Sequence, residues 1–240
     1  MPAGIKREVL HLRRMKMKNL SIGLILLVLL GVCGLNPQSA SAQSNAASYY
    51  VRANGNDSNS GTNETAPFKT LAKAVETASK TNIKKITVIG KLIGQTEINN
   101  SGSAEILITG KTNASDAEKA VLTTLTSMTE GINTIQITGN SNIKLEYLTV
   151  NTGSFLAIIY AKGDEVKLTL GKNAVVFGNG EDVTRWPNGG GGILMVEGTL
   201  IMMDNAAVTN CKAGYGGGIT IAGGKATIRD EASVTGNFKR

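Results

Sequence analysis

Two acidic residues recur at a fixed interval near the end of the sequence. Asp204 and Asp230 stand 26 positions apart, and Glu231 directly follows the second. If one coil of a repeating fold separates them, their carboxylates lie about 5 Å apart and repel each other by roughly 1–3 kcal/mol. A cation removes that cost, and the candidates are Lys172, Arg229 and Ca²⁺, which binds oxygen ligands. The spacing predicts either a calcium site formed by Asp204, Asp230 and Glu231 or a solvated turn in which these acids pair with basic neighbours.

The only tryptophan of the sequence lies in an insertion between two repeats, residues 181–188. Trp186 stands beside Arg185 and close to two acids, a combination that suits stacking on a sugar ring. Exposed loops on rigid scaffolds often bind ligands. We therefore predict a ligand-binding loop at Glu181, Asp182, Arg185 and Trp186. The alternative is that Trp186 folds back and covers the adjacent coil.

Histidine and disulfide chemistry are excluded from most of the chain. The single histidine, His11, precedes an apolar segment at residues 20–35. If that segment is removed with the residues before it, the product has no Ser–His or Cys–His nucleophile and no histidine-ligated metal. Cys33 lies in the same segment, so Cys211 has no intramolecular partner and is predicted to be a small buried residue.

The apolar segment is part of a pattern typical of a secretory signal peptide. Basic residues precede Leu20–Leu35, and Ala40-Ser41-Ala42 follows it. The pattern predicts that residues 1–42 are cleaved after Ala42 and that the protein is secreted or located at the cell surface. Met15 or Met17 is a further candidate for the start of translation. The alternative is an uncleaved anchor, although a span needs about 20 apolar residues.

The net charge of +7 comes mostly from the leader. Six of the 25 basic residues and one of the 18 acidic residues lie in residues 1–42, which leaves 19 and 17 in the rest. A nucleic-acid-binding protein needs a basic face rather than a basic leader. The composition therefore excludes a nucleic-acid partner, and no transmembrane segment is predicted after cleavage.

Repeats predict the fold of residues 83–240. The run Gly190–Met195 returns 26 positions later as Gly216–Ile221, and Leu200–Thr209 returns as Ala226–Thr235. Such a period, made of short alternating strands and glycine-rich turns, is typical of a solenoid. Three alternating strands per coil give an all-β parallel β-helix of about six coils.

Three interior columns are predicted from the alternation of apolar residues. The first is one stack led by Ile86, Ile106, Ile135, Ile158, Ile193 and Ile219. The second contains Ile143 with Leu145, Leu168 with Leu170, Leu200 with Met202, and Ala226 with Ile228. The third contains Val176, Val208 and Val234.

Residues 43–82 are predicted to form an N-terminal strand, a turn and a capping helix. The strand is Tyr49–Arg52, and the amphipathic helix is Pro67–Ser79 with Thr65 as its cap. A solenoid end exposes apolar surface and unpaired strand groups, so this helix is expected to cover it.

The turn Asn54–Thr62 is rich in Asn, Asp, Ser and Gly, which form turns with their own backbone. A calcium loop is the alternative, because Asp57 and Asn59 are spaced like ligands. No acidic residue closes such a loop in the manner of an EF-hand.

At the other end of the sequence, Arg240 falls inside a coil. An uncovered last coil exposes a row of unpaired strand groups. We therefore expect the solenoid to continue beyond Arg240 or to stack on a partner there.

The N-terminal residues resemble a known family. Tyr49-Tyr50-Val51, Asn54-Gly55-Asn56-Asp57, Gly61-Thr62 and Ala66–Leu71 are together similar to the segment that opens many bacterial secreted right-handed parallel β-helices of the pectate-lyase-like superfamily. The triple-glycine coils, with Thr199–Met202 and Val208–Asn210, resemble the repeats of large bacterial surface proteins and adhesin-like passengers. The resemblance implies right-handed winding and export.

The resemblance implies two functions, because that superfamily contains enzymes and non-enzymatic surface proteins. We predict an exported, non-catalytic, adhesin-like protein whose ligand is a polysaccharide or a host or cell-surface molecule and which needs no cofactor. The alternative is a polysaccharide lyase or hydrolase acting on an acidic polysaccharide. In a lyase, calcium acidifies the proton alpha to the sugar carboxylate, and Lys172 or Arg229 is the base.

Overall fold

Three stacks of parallel strands form the wall of the protein. The computed structural model describes residues 47–124, 132–151, 156–178, 191–214 and 216–239. Within these ranges the strands of all three stacks pair in parallel. We name the stacks sheets A, B and C in the order in which the chain enters them.

Sheet A is formed by β1 (Ser48–Arg52), β2 (Lys85–Ile89), β5 (Gly102–Thr109), β8 (Ser141–Glu146), β11 (Lys167–Leu170), β14 (Thr199–Met202) and β18 (Lys225–Ile228). Sheet B is formed by β3 (Lys91–Ile93), β6 (Ala120–Thr123), β9 (Leu148–Asn151), β12 (Val175–Phe177), β15 (Ala207–Thr209) and β19 (Ser233–Thr235). Sheet C is formed by β4 (Thr96–Asn99), β7 (Ile135–Thr138), β10 (Ile159–Lys162), β13 (Ile193–Met195) and β17 (Ile219–Ile221). The remaining elements are α1 (Leu71–Ser79), a 3-10 helix (Asp116–Glu118) and the paired strands β16 (Lys212–Ala213) and β20 (Phe238–Lys239).

The chain passes from sheet A to B to C and then returns to A one level further along. Strands β2, β3 and β4 form the first coil, and the same order repeats from β5, β8, β11, β14 and β18. Each strand pairs with its equivalent in the next coil, about 4.8 Å away. The prediction of a parallel β-helix with about six coils is confirmed.

Alternation along each strand sends one set of side chains into the interior. Leu145 of β8 is aligned with Ile108 of β5 and with Leu170 of β11, and all three are fully buried. The second predicted column is therefore confirmed, and it continues through Met202 to Ile228. The third is confirmed by the alignment of Val176, Val208 and Val234 in sheet B.

The prediction of one stack containing six isoleucines is wrong. Ile86 and Ile106 lie in sheet A, where Ile86 is aligned with Ile108. Sheet C aligns Ile159, not Ile158, with Ile135 and Ile193, and Ile219 follows. All three sheets share the same alternation of buried and outward-facing residues, so an Ile-x-Ile pattern does not reveal to which sheet a strand belongs. Coils of unequal length then hide the register.

Helix α1 covers the N-terminal end of the interior. Its apolar face buries Leu71, Ala74, Val75 and Ala78, and it packs on β1, β2, β4 and β5. The predicted capping helix is therefore present. None of the helices in the described ranges is long and apolar enough to cross a membrane.

The start of the helix differs from the prediction. Helix α1 begins at Leu71, and Thr70 is its N-cap, accepting a hydrogen bond from the Lys73 N–H at 3.2 Å. The predicted cap, Thr65, instead donates its hydroxyl to Asn63 Oδ1 at 2.8 Å. Phe68 precedes the helix and is buried beside Val51, to which it is joined by an isolated parallel bridge.

The contacts of Asp57 explain why helix α1 begins at Leu71 and not at Pro67. Its Oδ1 accepts from the backbone N–H groups of Lys69 and Thr70, both at 2.9 Å, and its Oδ2 accepts from the Thr70 hydroxyl at 2.8 Å. The Asn59 amide donates to the Pro67 carbonyl at 2.8 Å. These contacts hold the residues before α1 in an extended path. The two side chains considered as calcium ligands therefore both bind the protein itself, which favours the structural turn.

We expect Asp57→Ala to lower the free energy of unfolding by about 1–2 kcal/mol, because it removes a carboxylate that orders the N-cap. The matched control is Asp116→Ala, since Asp116 is almost fully exposed and pairs with Lys119 three residues away. Such surface changes stay within about 0.5 kcal/mol. Urea unfolding followed by circular dichroism measures both. Equal effects of the two substitutions would contradict the role given to Asp57.

The last coil exposes apolar side chains that are buried in the coils before it. Ile228 is 50% exposed, whereas Met202, its neighbour in the same column, is fully buried. Val234 and Ile221, at the ends of sheets B and C, are also exposed. Continuation of the solenoid or stacking on a partner at this end stays a prediction.

Candidate functional site

The corner between sheets A and B holds the predicted stack of acids. In three successive coils it consists of a four-residue turn, at residues 171–174, 203–206 and 229–232. The Asn173 N–H donates to the Asp204 carbonyl, and the Asn205 N–H donates to the Asp230 carbonyl, both at 3.2 Å. Asp204 and Asp230 therefore lie one coil apart, as the spacing predicts.

Backbone conformation explains most of the residue types in this stack. Asn173, Asp204, Asn205 and Asp230 have φ angles between 52° and 63°, and Glu231 has a φ of 64°. Asn and Asp are the non-glycine residues that most readily adopt this left-handed conformation. The turn needs such residues whether or not the corner binds a ligand.

Arg229 balances one of the two stacked carboxylates. Its guanidinium donates through Nη1 to Asp230 Oδ2, and its Nη2 lies 3.5 Å from Met203 Sδ. Arg229 is thus a neighbour of the stack, as predicted, but its guanidinium binds a carboxylate. A guanidinium group is a poor general base.

A second ion pair flanks the corner and was not predicted from the sequence. Lys144 Nζ lies 2.7 Å from Glu146 Oε1, and both side chains are largely buried. The hydrogen bond to Glu146 raises the pKa of Lys144, with smaller contributions from the charges of Glu146, Glu105 and Asp204. Lys144 is therefore held as a cation close to the acid stack. The alternation Asn142, Lys144, Glu146 in β8 places these residues on the outer face, but only the coil register brings them to Asp204.

The corner forms an open depression of about 550 Å³. It is lined by Tyr147, Lys172, Asn173, Asp204, Asn205, Asp230 and Glu231. Lys172, the other predicted base, lies in this depression and is exposed. In the described part of the chain, no three histidine, cysteine, aspartate or glutamate side chains are grouped so that they could hold a metal ion. Calcium binding by Asp204, Asp230 and Glu231 stays a prediction.

The second predicted site cannot be placed relative to this corner. Glu181, Asp182, Arg185 and Trp186 lie outside the described residues. Neither the ligand-binding loop nor its alternative is tested by the structure.

Cys211 is confirmed as a buried residue. It is 1% exposed, and its Sγ lies 3.3 Å from the Thr209 carbonyl oxygen. Burial raises the pKa of the Cys211 thiol to about 11 from an ordinary value of 9.0.

Two outcomes are expected from this pKa. First, the native protein should react with a thiol reagent at pH 8 far more slowly than the protein in urea.

Second, the thiol ionises first in the unfolded chain, so its contribution to stability is complete below pH 9 and is lost between pH 9 and about pH 11. Cys211→Ala should lose less stability than the wild type over that interval in urea titrations. Rapid labelling of the native thiol would contradict this account.

Comparison with family models, curated proteins and solved structures finds no match for this chain.

Proposed function

We propose that this protein is an exported, non-catalytic β-helix that acts as an adhesin-like contact module outside the cell or at its surface. The leader pattern, with cleavage after Ala42, supports export. The fold supports the rest, because a parallel β-helix presents long, rigid faces whose side chains repeat at coil spacing. Sequencing the N-terminus of the exported protein tests the location, and it should begin at Gln43.

One observation carries the non-catalytic part of this proposal. Arg229 is bound to Asp230 of the acid stack, and Lys144, whose charge interacts with that of Asp204, is bound to Glu146. A general base must be unprotonated at the working pH. The raised pKa of Lys144 and the guanidinium of Arg229 both oppose that state. Of the predicted bases, this leaves only Lys172, which is exposed in the corner depression.

The corner depression is the contact surface that we propose for a carbohydrate. Tyr147 offers a ring for stacking, and the amides of Asn173 and Asn205 provide donors and acceptors for hydroxyl groups. These groups repeat at coil spacing along the wall. A chain of sugars is therefore a better match for the surface than a compact small molecule.

The experiment measures retention of the purified protein on a panel of polysaccharides and on whole cells. The double variant Asn173→Gly with Asn205→Gly removes both amides and keeps the left-handed backbone that glycine readily adopts. We expect it to lower retention at least fivefold. The control is Asn99→Ser, at an exposed residue of sheet C, which should change nothing. Retention that is unaffected by the double variant would refute this corner as the contact surface.

A polysaccharide lyase is the second candidate, and one observation favours it. Asp204 and Asp230 lie one coil apart at a corner that also holds Lys172 and Arg229. In this candidate Asp204 and Asp230 bind a calcium ion between them, and Lys172 is the base. Titration calorimetry with calcium should then show binding that Asp204→Asn with Asp230→Asn abolishes. These substitutions preserve the turn, and equal heats for the two proteins would end the candidate.

A further inference from the structure

A groove opens beside helix α1, which covers the N-terminal end of the interior. It is far along the chain from the corner between sheets A and B that holds the stacked acids, the acid corner. It encloses about 320 Å³ between the start of α1 and the first coil. That volume is at the lower end of the range for small-molecule sites. Its lining is mostly apolar and includes Leu71, Leu92, Ile93 and Leu122.

The groove exists because α1 leaves part of the first coil uncovered. The helix packs on β1, β2, β4 and β5, and the groove lies on the β3 side. Leu92 of β3 is aligned with Leu122 of β6, which is 3% exposed. Leu92 itself is only partly buried, so the groove gives access to the start of an interior column.

Exposed apolar surface continues from this opening to its rim. Ile93 is 56% exposed, more than any other large apolar side chain among the described residues. Apolar surface of this kind beside a concave opening marks a binding site more often than an isolated surface residue does.

The charge at the rim has one sign. Lys69 and Lys91 line the groove and are exposed, whereas none of the described residues that line it is acidic. The Asp57 carboxylate, which contacts the backbone of Lys69, does not line the groove and accepts three hydrogen bonds from the protein. The rim therefore complements an anion.

We propose that this groove binds an anionic amphiphile with a single medium-length alkyl chain. The chain lies against Leu71, Leu92 and Ile93 and extends the interior column, and the anionic group lies between Lys69 and Lys91. This site is separate from the acid corner, so the proposal stands independently of the contact function.

Titration calorimetry with the sodium salts of hexanoate, octanoate and decanoate, below the concentrations at which they form micelles, tests the proposal. We expect one molecule to bind, with a Kd that falls two- to fourfold for each methylene that the groove buries. Decyltrimethylammonium, which has a similar chain and the opposite charge, should bind at least tenfold more weakly than decanoate.

Three variants of the full chain locate the binding. Ile93→Ser changes an exposed residue, and Lys69→Gln with Lys91→Gln removes the rim charge; each should weaken decanoate binding at least threefold. Lys225→Gln, at an exposed lysine of the last coil, is the control and should bind like the wild type. Any binding of decanoate by the apolar leader is common to the wild type and all three variants, so differences in affinity between them report on the groove. No binding at any chain length, or equal binding by all variants, would overturn the proposal.

Discussion

Replacing Ile143 with alanine is expected to lower the free energy of unfolding by about 2–5 kcal/mol, because the side chain is fully buried between Ile106 and Leu168. A cavity in this column cannot be filled easily, since strands on both sides are fixed by ladder hydrogen bonds. Urea unfolding followed by circular dichroism measures the change.

The matched control is Ile201→Ala. Ile201 is also an isoleucine of sheet A, but it lies on the outer face and is partly exposed. We expect its loss to cost less than about 1 kcal/mol. Similar costs for the two substitutions would mean that the inward and outward faces of sheet A are assigned incorrectly.

The second large effect concerns the repeated glycines. A Cβ at Gly191 would lie 2.0 Å from the Gly217 carbonyl oxygen, and a Cβ at Gly217 would lie 2.2 Å from the Phe238 carbonyl oxygen. Both obstacles are backbone atoms of the next coil and cannot rotate away. We therefore expect Gly191→Ala to destabilise the protein by about 3 kcal/mol, at the upper end of the usual cost of overpacking.

The control for this prediction is Gly171→Ala. A Cβ there would meet Glu146 Oε1 and Lys144 Cε, both at 2.9 Å, and these are the ends of flexible side chains. Small movements relieve that contact, so we expect a cost below about 1 kcal/mol. Equal midpoints of urea unfolding for the two variants would contradict close packing of glycine against the next coil.

The fold could be predicted from the sequence because the repeats and the alternation are local signals. Leu200–Met202 and Ala226–Ile228 are aligned as their 26-residue spacing indicates. The assignment of strands to sheets A, B and C could not be predicted in the early coils. There the coil length varies, so Ile86 is aligned with Ile108 rather than Ile106. The prediction of where α1 begins was also wrong, because its start depends on the contacts of Asp57, which lies thirteen residues before its partner Thr70.

The acid corner could be predicted only in part. The spacing of Asp204 and Asp230 gives their stacking, and the repeats make that spacing reliable. Lys144 and Glu146 belong to an earlier coil of different length, so their approach to Asp204 depends on a register that local patterns do not reveal. The groove beside α1 has no sequence signal at all, since it arises from how much of the first coil the helix covers.

The most direct test of the central claim, that the wall binds without catalysing a reaction, is incubation of the protein with polyuronates in the presence of calcium. Absorbance of unsaturated products and release of reducing ends are followed together. We predict no increase in either signal over the rate without protein. In the retention experiment, the wild type should bind the polysaccharide, and the double variant Asn173→Gly with Asn205→Gly should be retained at least fivefold less. An increase that disappears in Asp204→Asn with Asp230→Asn would contradict the account and establish the corner as a catalytic site.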